Sequence, residues 1–395
     1  MNMKSIQIKR FRMLQSVDIR ELGQLNLIVG KNNSGKSTLL EAIRIFARRG
    51  SPDTLLEVLG YRDETTAARL IDADGPSGEN AALRQLFFGR EFPTADDLPI
   101  VIEDVESNEK VTIEYSYFKI IETETRDEDG DLAMTRKRIH VPRENLSSEV
   151  TASQTLVVKS AGKAHYLNLE NTETPAVRRL RSFGVEKEVM PVNLLSTRFL
   201  HPDRLAALWD QAVLTNAADA VISGLKLIDP DVEGIAFIKS DQTDRPYRMQ
   251  RDETVIRAER IAVVKLKNNN RPIPLGSMGD GMLRVLQLLL AMYPAKGGYF
   301  LIDEFENGLH HSVQEGLWEL LFKMAKQLDI QVFATTHSND CITSFANVAI
   351  KHKDIKGSLS RLKRITTDDG VQQIVATAFS EEELEISQNA AIELR

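Results

Sequence analysis

The sequence predicts an α/β protein whose two ends build one parallel sheet around a long insertion. An apolar segment at residues 25–29 runs into a glycine-rich loop and then into a helix-patterned segment, as a buried parallel strand followed by a helix does. The last third of the chain again alternates helical and apolar strand patterns, whereas the middle is less regular. We therefore expect a core split between residues 1–50 and 282–395, with residues 51–281 inserted.

Periodicity predicts the individual elements. In the first two thirds we expect strands at 6–11, 17–19, 25–29, 232–238 and 261–266, a hairpin of 111–124 with 132–141, and helices at 38–48 and 209–228. In the last third we expect helices at 282–292 and 309–325 and strands at 299–302 and 330–334. Composition also predicts a loop at 72–80 and an acidic helix from about residue 381.

Composition excludes several classes of protein. The 395 residues are 42% hydrophobic and carry a net charge of −7, which excludes a wholly disordered chain. The chain has one cysteine, Cys341, so neither an intrachain disulfide nor a multi-cysteine zinc site can form. No apolar run spans a membrane and no apolar leader opens the chain, so we expect a cytoplasmic protein. The acidic charge argues only weakly against nucleic-acid binding.

Residues 30–37, GKNNSGKS, match the phosphate-binding pattern G-x-x-x-x-G-K-[ST]. The glycines let the backbone wrap around phosphate, Lys36 reaches the β- and γ-phosphates, and the Ser37 hydroxyl ligates Mg²⁺. The alternative is a glycine turn with a chance lysine, but a predicted strand before and a helix after argue against it. The candidate nucleotide-binding residues are Gly30, Asn32, Asn33, Ser34, Gly35, Lys36, Ser37 and Thr38.

Two acids end the predicted strand at 299–302. Beside a phosphate loop, Asp303 can hold Mg²⁺ through water, and Glu304 can act as the general base that polarises the attacking water. The alternative is that both acids merely cap a strand exit. The loop and the acids together predict a nucleotide site with Mg²⁺ as its metal.

Two further motifs carry weaker signals. His337 follows the strand at 330–334, where an imidazole can contact the γ-phosphate, although a lone histidine is more often a surface residue. Ser277 and Gly279 open the helix at 282–292, where a helix N-terminus can bind phosphate, although an ordinary N-cap is the simpler interpretation.

The order of these four motifs resembles the ABC-type ATPase head. Within that class the chain is similar to the OLD (overcoming lysogenization defect) family, which is related to the RecF and SMC heads. The similarity lies in residues 302–310 (IDEFENGLH), in the helix start at 279–284 (GDGMLR), and in residues 214–228 with the LKLIDPDVEGI segment. It implies a P-loop NTPase with an N-terminal β-rich lobe, a parallel core sheet and an inserted helical lobe that ends in the signature motif.

The resemblance also implies roles for the site residues. Lys36 and Ser37 would bind phosphate and Mg²⁺, Asp303 the metal, Glu304 would be the catalytic glutamate and His337 the switch histidine. Ser277 and Gly279 would act on ATP held by a second subunit, which implies a head-to-tail homodimer with two sandwiched nucleotides. The chain departs from the family at His311, where proline is usual, and no Q-loop glutamine is identified. Only 58 residues follow His337, so a Toprim nuclease domain is not expected.

Three functions fit these predictions. The first is an ATPase subunit that controls a separately encoded effector, a Toprim or HNH nuclease, in anti-phage defence. The second is a RecF-like clamp that binds DNA through basic runs at 136–138, 178–181 or 361–364. The third is a scaffold that binds ATP without turnover, against which Glu304 argues.

Overall fold

The computed structural model describes most of the chain. The described residues are 2–71, 82–95, 98–126, 132–146, 151–169, 189–215, 217–239, 260–367, 370, 372–379 and 383. The predicted loop at 72–80 and almost all of the predicted acidic tail lie outside them.

Strands and helices are numbered in chain order. The strands are β1 (Ile6–Phe11), β2 (Leu14–Ile19), β3 (Leu25–Val29), β4 (Ile100–Asp104), β5 (Glu109–Arg126), β6 (Leu132–Val141), β7 (Ser153–Ser160), β8 (Lys163–Asn168), β9 (Val192–Leu195), β10 (Val232–Lys239), β11 (Arg260–Leu266), β12 (Ile273–Pro274), β13 (Tyr299–Ile302), β14 (Gln331–Thr336), β15 (Gly357–Thr366) and β16 (Gln372–Phe379). The helices are α1 (Lys36–Ala47), α2 (Pro52–Tyr61), α3 (Glu64–Ile71), α4 (Pro202–Val213), α5 (Ala217–Leu225), α6 (Asp280–Met292), α7 (His311–Leu328) and α8 (Asn339–Lys351).

The core sheet has the order β16-β15-β3-β14-β13-β9. All of its neighbours are parallel except β15 and β16, which form an antiparallel pair at one edge. Because parallel strands end at one edge of a sheet, the carboxyl ends of β3, β13 and β14 and the polar residues after them meet there.

Alternate residues of the core strands face two different hydrophobic cores. Leu27 and Phe300 pack with the helices of the C-terminal part, whereas Ile28 and Leu301 pack with α1 and the antiparallel sheet. A strand covered on both faces is buried along its whole length, and all five residues of β3 are buried. Four of them are apolar, and the fifth, Asn26, donates its side-chain amide to Gly23 O and Val332 O.

Two smaller sheets flank this core. An antiparallel sheet of order β2-β1-β4-β5-β7-β8, with β6 paired to β5, forms the β-rich N-terminal lobe. A second sheet of order β10-β11-β12 leads into α6, and α4 and α5 pack with it as a helical lobe. The predicted fold class, an ABC-type P-loop head with these parts, is confirmed.

The predicted division into a split core and an insertion stays a prediction, but the sheets cross its boundaries. β9 lies inside the range 51–281, yet it pairs in parallel with β13 of the core. β1 lies in the range 1–50, yet it pairs with β4 of the antiparallel lobe. Both pairings join residues far apart in sequence, so periodicity does not reveal them.

Several element predictions need correction. The single helix expected at 209–228 is two helices, α4 and α5, and α4 begins at Pro202. The sequence also missed the helices α2, α3 and α8 and the strands β4, β7, β8, β9, β12, β15 and β16. Of these, β15 pairs directly with the phosphate-loop strand β3, and β16 pairs with β15. The predicted hairpin, β5 with β6, is confirmed. Among the described residues, no helix is both long and apolar enough to cross a membrane.

Candidate functional site

The phosphate loop connects β3 to α1 at the carboxyl edge of the core sheet. Asn33 and Gly35 have left-handed backbones, with φ of 61° and 92°. At Gly30 a Cβ would lie 2.4 Å from Leu362 O and 2.6 Å from Ser34 Oγ, so only glycine fits between the loop and β15. These backbone conformations curl the loop into a nest for an anion.

Lys36 fills the centre of this loop. Its Nζ donates to Gly30 O at 2.7 Å and to Lys31 O at 3.0 Å, and only 8% of the residue is exposed. Burial lowers the pKa of Lys36, while the charges of Asp303, Glu304 and Glu306 oppose that shift. The buried ammonium therefore binds the carbonyls of the loop and also experiences the negative charge of three carboxylates.

The other predicted loop residues take three kinds of position. Asn32 and Asn33 are exposed, Thr38 is buried in the first turn of α1, and Ser34 is buried with no hydrogen bond recorded at its Oγ. Arg364, predicted as part of a basic run, donates from Nη2 to Asn33 O at 3.0 Å. This basic run therefore borders the phosphate loop instead of forming a separate patch.

Ser37 and Asp303 meet directly. The Ser37 Oγ lies 3.0 Å from both carboxylate oxygens of Asp303, and Thr335 Oγ1 donates to Asp303 Oδ1 at 2.7 Å. The end of the acid strand therefore lies beside the phosphate loop, as the sequence predicts. The two strands are not direct neighbours, because β14 lies between β13 and β3 and its Thr335 fills the gap.

This cluster has the donor chemistry that Mg²⁺ prefers. Mg²⁺ takes one or two protein oxygens and completes its octahedron with water and substrate phosphates. Ser37 and Asp303 provide one hydroxyl and one carboxylate at contact distance. The described residues contain no cluster of three or more His, Cys, Asp or Glu side chains suited to a metal held by protein alone. The residues therefore fit a magnesium ion shared with a nucleotide.

Glu304 follows Asp303 in a strained turn. Its φ is 49°, a left-handed conformation that is costly for a residue with a side chain. Its N–H donates to Thr335 Oγ1 at 2.9 Å, and the residue is only partly buried. The turn directs the chain away from β13 and leaves Glu304 partly exposed, and a general base needs access to water.

His337 is paired with a residue that sequence reasoning did not assign. Glu306 Oε1 accepts from the His337 backbone N–H at 3.0 Å and lies 3.0 Å from His337 Nδ1. Glu306 is mostly buried, while His337 is about half exposed. The acid therefore orients the imidazole through Nδ1.

Ser277 and Gly279 are not hydrogen-bonded to this cluster in the part of the chain that the structure describes. Both are exposed at the start of α6, and Gly279 has φ 92°. A Cβ on the next glycine, Gly281, would lie 3.0 Å from Gly308 O, so the helix start packs against the loop that follows the acids. Among the described residues, no recorded hydrogen bond joins Ser277 or Gly279 to the phosphate loop.

A buried ion network braces α1 behind the phosphate loop. Arg12 contacts Glu41 at 2.9 Å and forms a bidentate pair with Glu64 at 2.6 and 2.9 Å. Arg62 donates to Glu41 at 2.6 Å. Burial raises the pKa of Glu41, and the two arginines oppose that shift. The network ties β1 and the α2–α3 corner to the helix that carries Lys36.

The fold and this site define a P-loop nucleotide hydrolase with an ABC-type head. A family model described as "AAA domain, putative AbiEii toxin, Type IV TA system" matches residues 25–340. The match covers most of the chain, so the protein belongs to this AAA-domain ATPase family. It does not confirm the narrower OLD family that the motifs resemble.

Similar proteins include two curated relatives. An "ATP/GTP phosphatase" of Helicobacter pylori is 23% identical over 400 aligned residues, covering 97% of this chain and 96% of the relative. An uncharacterised protein of Methanocaldococcus jannaschii is 34% identical over 118 residues, which cover 30% of this chain and 99% of that protein.

Solved SMC heads also align with the chain. An SMC head bound to the C-terminal winged-helix domain of ScpA is 13% identical, covers 96% of this chain and 98% of its own, and has a TM-score of 0.43. The SMC head of Thermotoga maritima is 12% identical, with coverage of 95% and 99% and a TM-score of 0.40. The fold is established by the sheet order and the motifs described above, and not by these structural alignments.

Proposed function

We propose that this chain is an OLD-like, ABC-type ATPase subunit whose two copies close head to tail around two ATP molecules. The observation that carries the proposal is that two of the predicted nucleotide contacts are exposed. Lys36, Ser37 and Asp303 form one cluster, whereas Ser277 and Gly279 open α6 at an exposed position and, among the described residues, share no hydrogen bond with that cluster. In a head-to-tail dimer each exposed helix start meets the nucleotide that the other copy holds.

Each site residue has one task in this proposal. Lys36 and the loop N–H groups hold the β- and γ-phosphates, and Ser37 and Asp303 would hold Mg²⁺, which would supply positive charge against the phosphate oxygens. Glu304 takes a proton from the attacking water, and His337, oriented by Glu306, donates to the γ-phosphate. The printed name of the Helicobacter pylori relative supports nucleotide hydrolysis as the reaction.

Hydrolysis then acts as a switch. A γ-phosphate that bridges two copies favours the closed dimer, and its loss removes the contacts to Ser277 and Gly279. We propose that the closed and open states control a separately encoded effector, a Toprim or HNH nuclease, in anti-phage defence in the cytoplasm. The family description, which names a toxin of a type IV toxin–antitoxin system, supports a two-component system of this kind.

The test compares two variants by light scattering with ATP and Mg²⁺. We expect Glu304→Gln to bind ATP and accumulate as a dimer, because the γ-phosphate is no longer cleaved. We expect Lys36→Ala to remain monomeric, because it loses the ammonium at the centre of the phosphate loop. Hydrolysis by Glu304→Gln at the wild-type rate would show that Glu304 is not the base. Purification with the product of a neighbouring reading frame tests the effector.

A second candidate function is direct binding of DNA. The observation that favours it is the exposed run Arg136, Lys137 and Arg138 on β6, in which the side chain of Arg136 pairs with Glu122 at 2.8 Å and is still 76% exposed. Phosphate contacts by such residues weaken steeply as salt rises. Salt-dependent binding of duplex DNA that the triple substitution of these residues with glutamine abolishes would support it. Absence of binding at low salt would exclude it.

A further inference from the structure

Arg284 lies against the backbone that carries the two acids. It is in the second turn of α6 and only 2% exposed. Its Nη1 donates to Ser196 O at 2.8 Å, and its Nη2 donates to Asp303 O at 3.0 Å and to Glu304 O at 2.9 Å. One guanidinium therefore joins α6 to the residues that follow β9 and β13.

These acceptors are unusual for a buried guanidinium, which normally pairs with a carboxylate. Among the described residues, every recorded hydrogen bond of Arg284 goes to a main-chain carbonyl. Burial lowers the pKa of Arg284 to about 10, and the charges of Asp303, Glu306 and Glu304 oppose that shift. At neutral pH the arginine is therefore a buried cation beside three carboxylates.

The turn that Arg284 holds is strained. Glu304 has φ 49°, so its conformation persists only where neighbouring groups hold it. Thr335 Oγ1 accepts the Glu304 N–H from one side, and Arg284 donates to the Glu304 carbonyl from the other. Removing the arginine would leave three carbonyls without this donor and free the turn to relax.

We propose that Arg284 is a positioning residue for ATP hydrolysis, which fixes the Asp303–Glu304 turn and couples it to the start of α6. Ser277 and Gly279 open the same helix, so a shift of that helix on nucleotide contact reaches the acids through Arg284. The proposal rests on the proposed function, because it takes Glu304 as the base and the helix start as the contact to the second nucleotide.

The geometry predicts how substitutions behave. Arg284→Met removes the charge and all donors, so we expect kcat to fall about 100-fold, the cost of misplacing a reacting group by about 1 Å. The KM for ATP should stay within about threefold of wild type, since the phosphate loop is untouched. Arg284→Lys should restore part of kcat, because a compact ammonium reaches some of the carbonyls but lacks the planar fork.

The experiment measures steady-state ATP hydrolysis, equilibrium binding of a fluorescent ATP analogue and thermal unfolding of the full chain. The matched control is Arg260→Met, in which an arginine bonded to exposed Asp210 at 2.9 Å is removed from the same lobe. The control should keep wild-type kcat and KM. A merely structural role would lower the melting temperature and the bound fraction together instead of kcat alone.

Two outcomes overturn the proposal. One is a kcat for folded Arg284→Met within about threefold of wild type. The other is a loss of ATP binding that accounts for the whole effect. If Arg284→Met does not fold, Arg284→Lys provides the test instead. A folded Arg284→Lys variant with wild-type kcat also overturns the proposal. Glu304→Gln is measured in parallel. Its rate of hydrolysis tests the assignment of Glu304 as the base independently of the Arg284 variants.

Discussion

Thr335 brings the separate motifs of the site into contact. Its side chain is fully buried, donates to Asp303 Oδ1 and accepts from the Glu304 N–H, while its carbonyl accepts from the Phe305 N–H. A threonine two residues before the histidine gives no distinctive signal in one sequence. Its role follows from the insertion of β14 between β3 and β13.

Glu41 is a buried acid whose protonation should affect stability. Burial raises its pKa above the ordinary 4.5, although Arg12 and Arg62 oppose the shift. The folded protein therefore favours the neutral carboxyl, whose stabilising contribution is complete below pH 4.5 and is lost as pH rises through the folded pKa.

Glu41→Gln tests this sign, because glutamine resembles the neutral carboxyl at every pH. The free energy of unfolding of Glu41→Gln minus that of wild type should increase as pH rises from 4.5. Urea denaturation across a pH series measures the difference, and the titrations of other groups cancel in it. If the difference instead falls as pH rises, the attraction of Arg12 and Arg62 lowers the pKa of Glu41 by more than burial raises it.

At the scale of the element, the site depends on how closely β9 and β13 approach. Gly298 precedes β13, and a Cβ there would lie 1.9 Å from Pro191 O at the start of β9. Neighbouring backbone bonds, such as Tyr299 N–H to Pro191 O at 2.9 Å, pin the two chains together. The register of β9 against β13 therefore fixes the relative positions of Ser196 and Asp303, which follow these two strands.

Gly298→Ala should therefore lower the free energy of unfolding by about 1–3 kcal/mol, the usual cost of overpacking. Gly60→Ala is the matched control, because Gly60 lies in α2 and a Cβ there meets nothing within 4 Å. Gly60→Ala should leave the free energy of unfolding unchanged or raise it by about 0.5–1 kcal/mol. Equal melting temperatures for the two variants would contradict the importance of this contact.

The arrangement of the elements explains which strand predictions succeeded. Residues 299–302 and 330–334 are short apolar runs, and each was predicted within two residues of its strand. β15 carries polar and basic residues from Arg361 onward, because its outer end leaves the core beside the phosphate loop. That pattern concealed a strand that pairs directly with β3.

At the scale of the whole molecule, the exposed start of α6 is the surface on which the proposed dimer depends. In a Glu304→Gln background, Ser277→Arg should abolish the ATP-dependent dimer, because a bulky side chain blocks the approach of the second nucleotide. ATP binding by the monomer should persist, since Ser277 has no recorded bond to the phosphate loop among the described residues.

Ser107→Arg is the matched control for that substitution. Ser107 is an exposed serine in the turn between β4 and β5, within the other lobe. Light scattering with ATP should find a dimer for Ser107→Arg and a monomer for Ser277→Arg. Dimers of equal stability in both variants would exclude a head-to-tail arrangement through α6.

The sequence by itself determined the phosphate loop, the two acids and the histidine, together with the parallel character of the core. These features are local: a glycine spacing, an apolar run and the polar residue at its end appear within about ten consecutive residues. Only the tertiary structure decided that β14 lies between the loop and the acids, that Glu306 orients His337, and that Arg284 holds the Asp303–Glu304 turn. Each of these contacts depends on packing between elements, and sequence periodicity carries no information about which buried elements become neighbours.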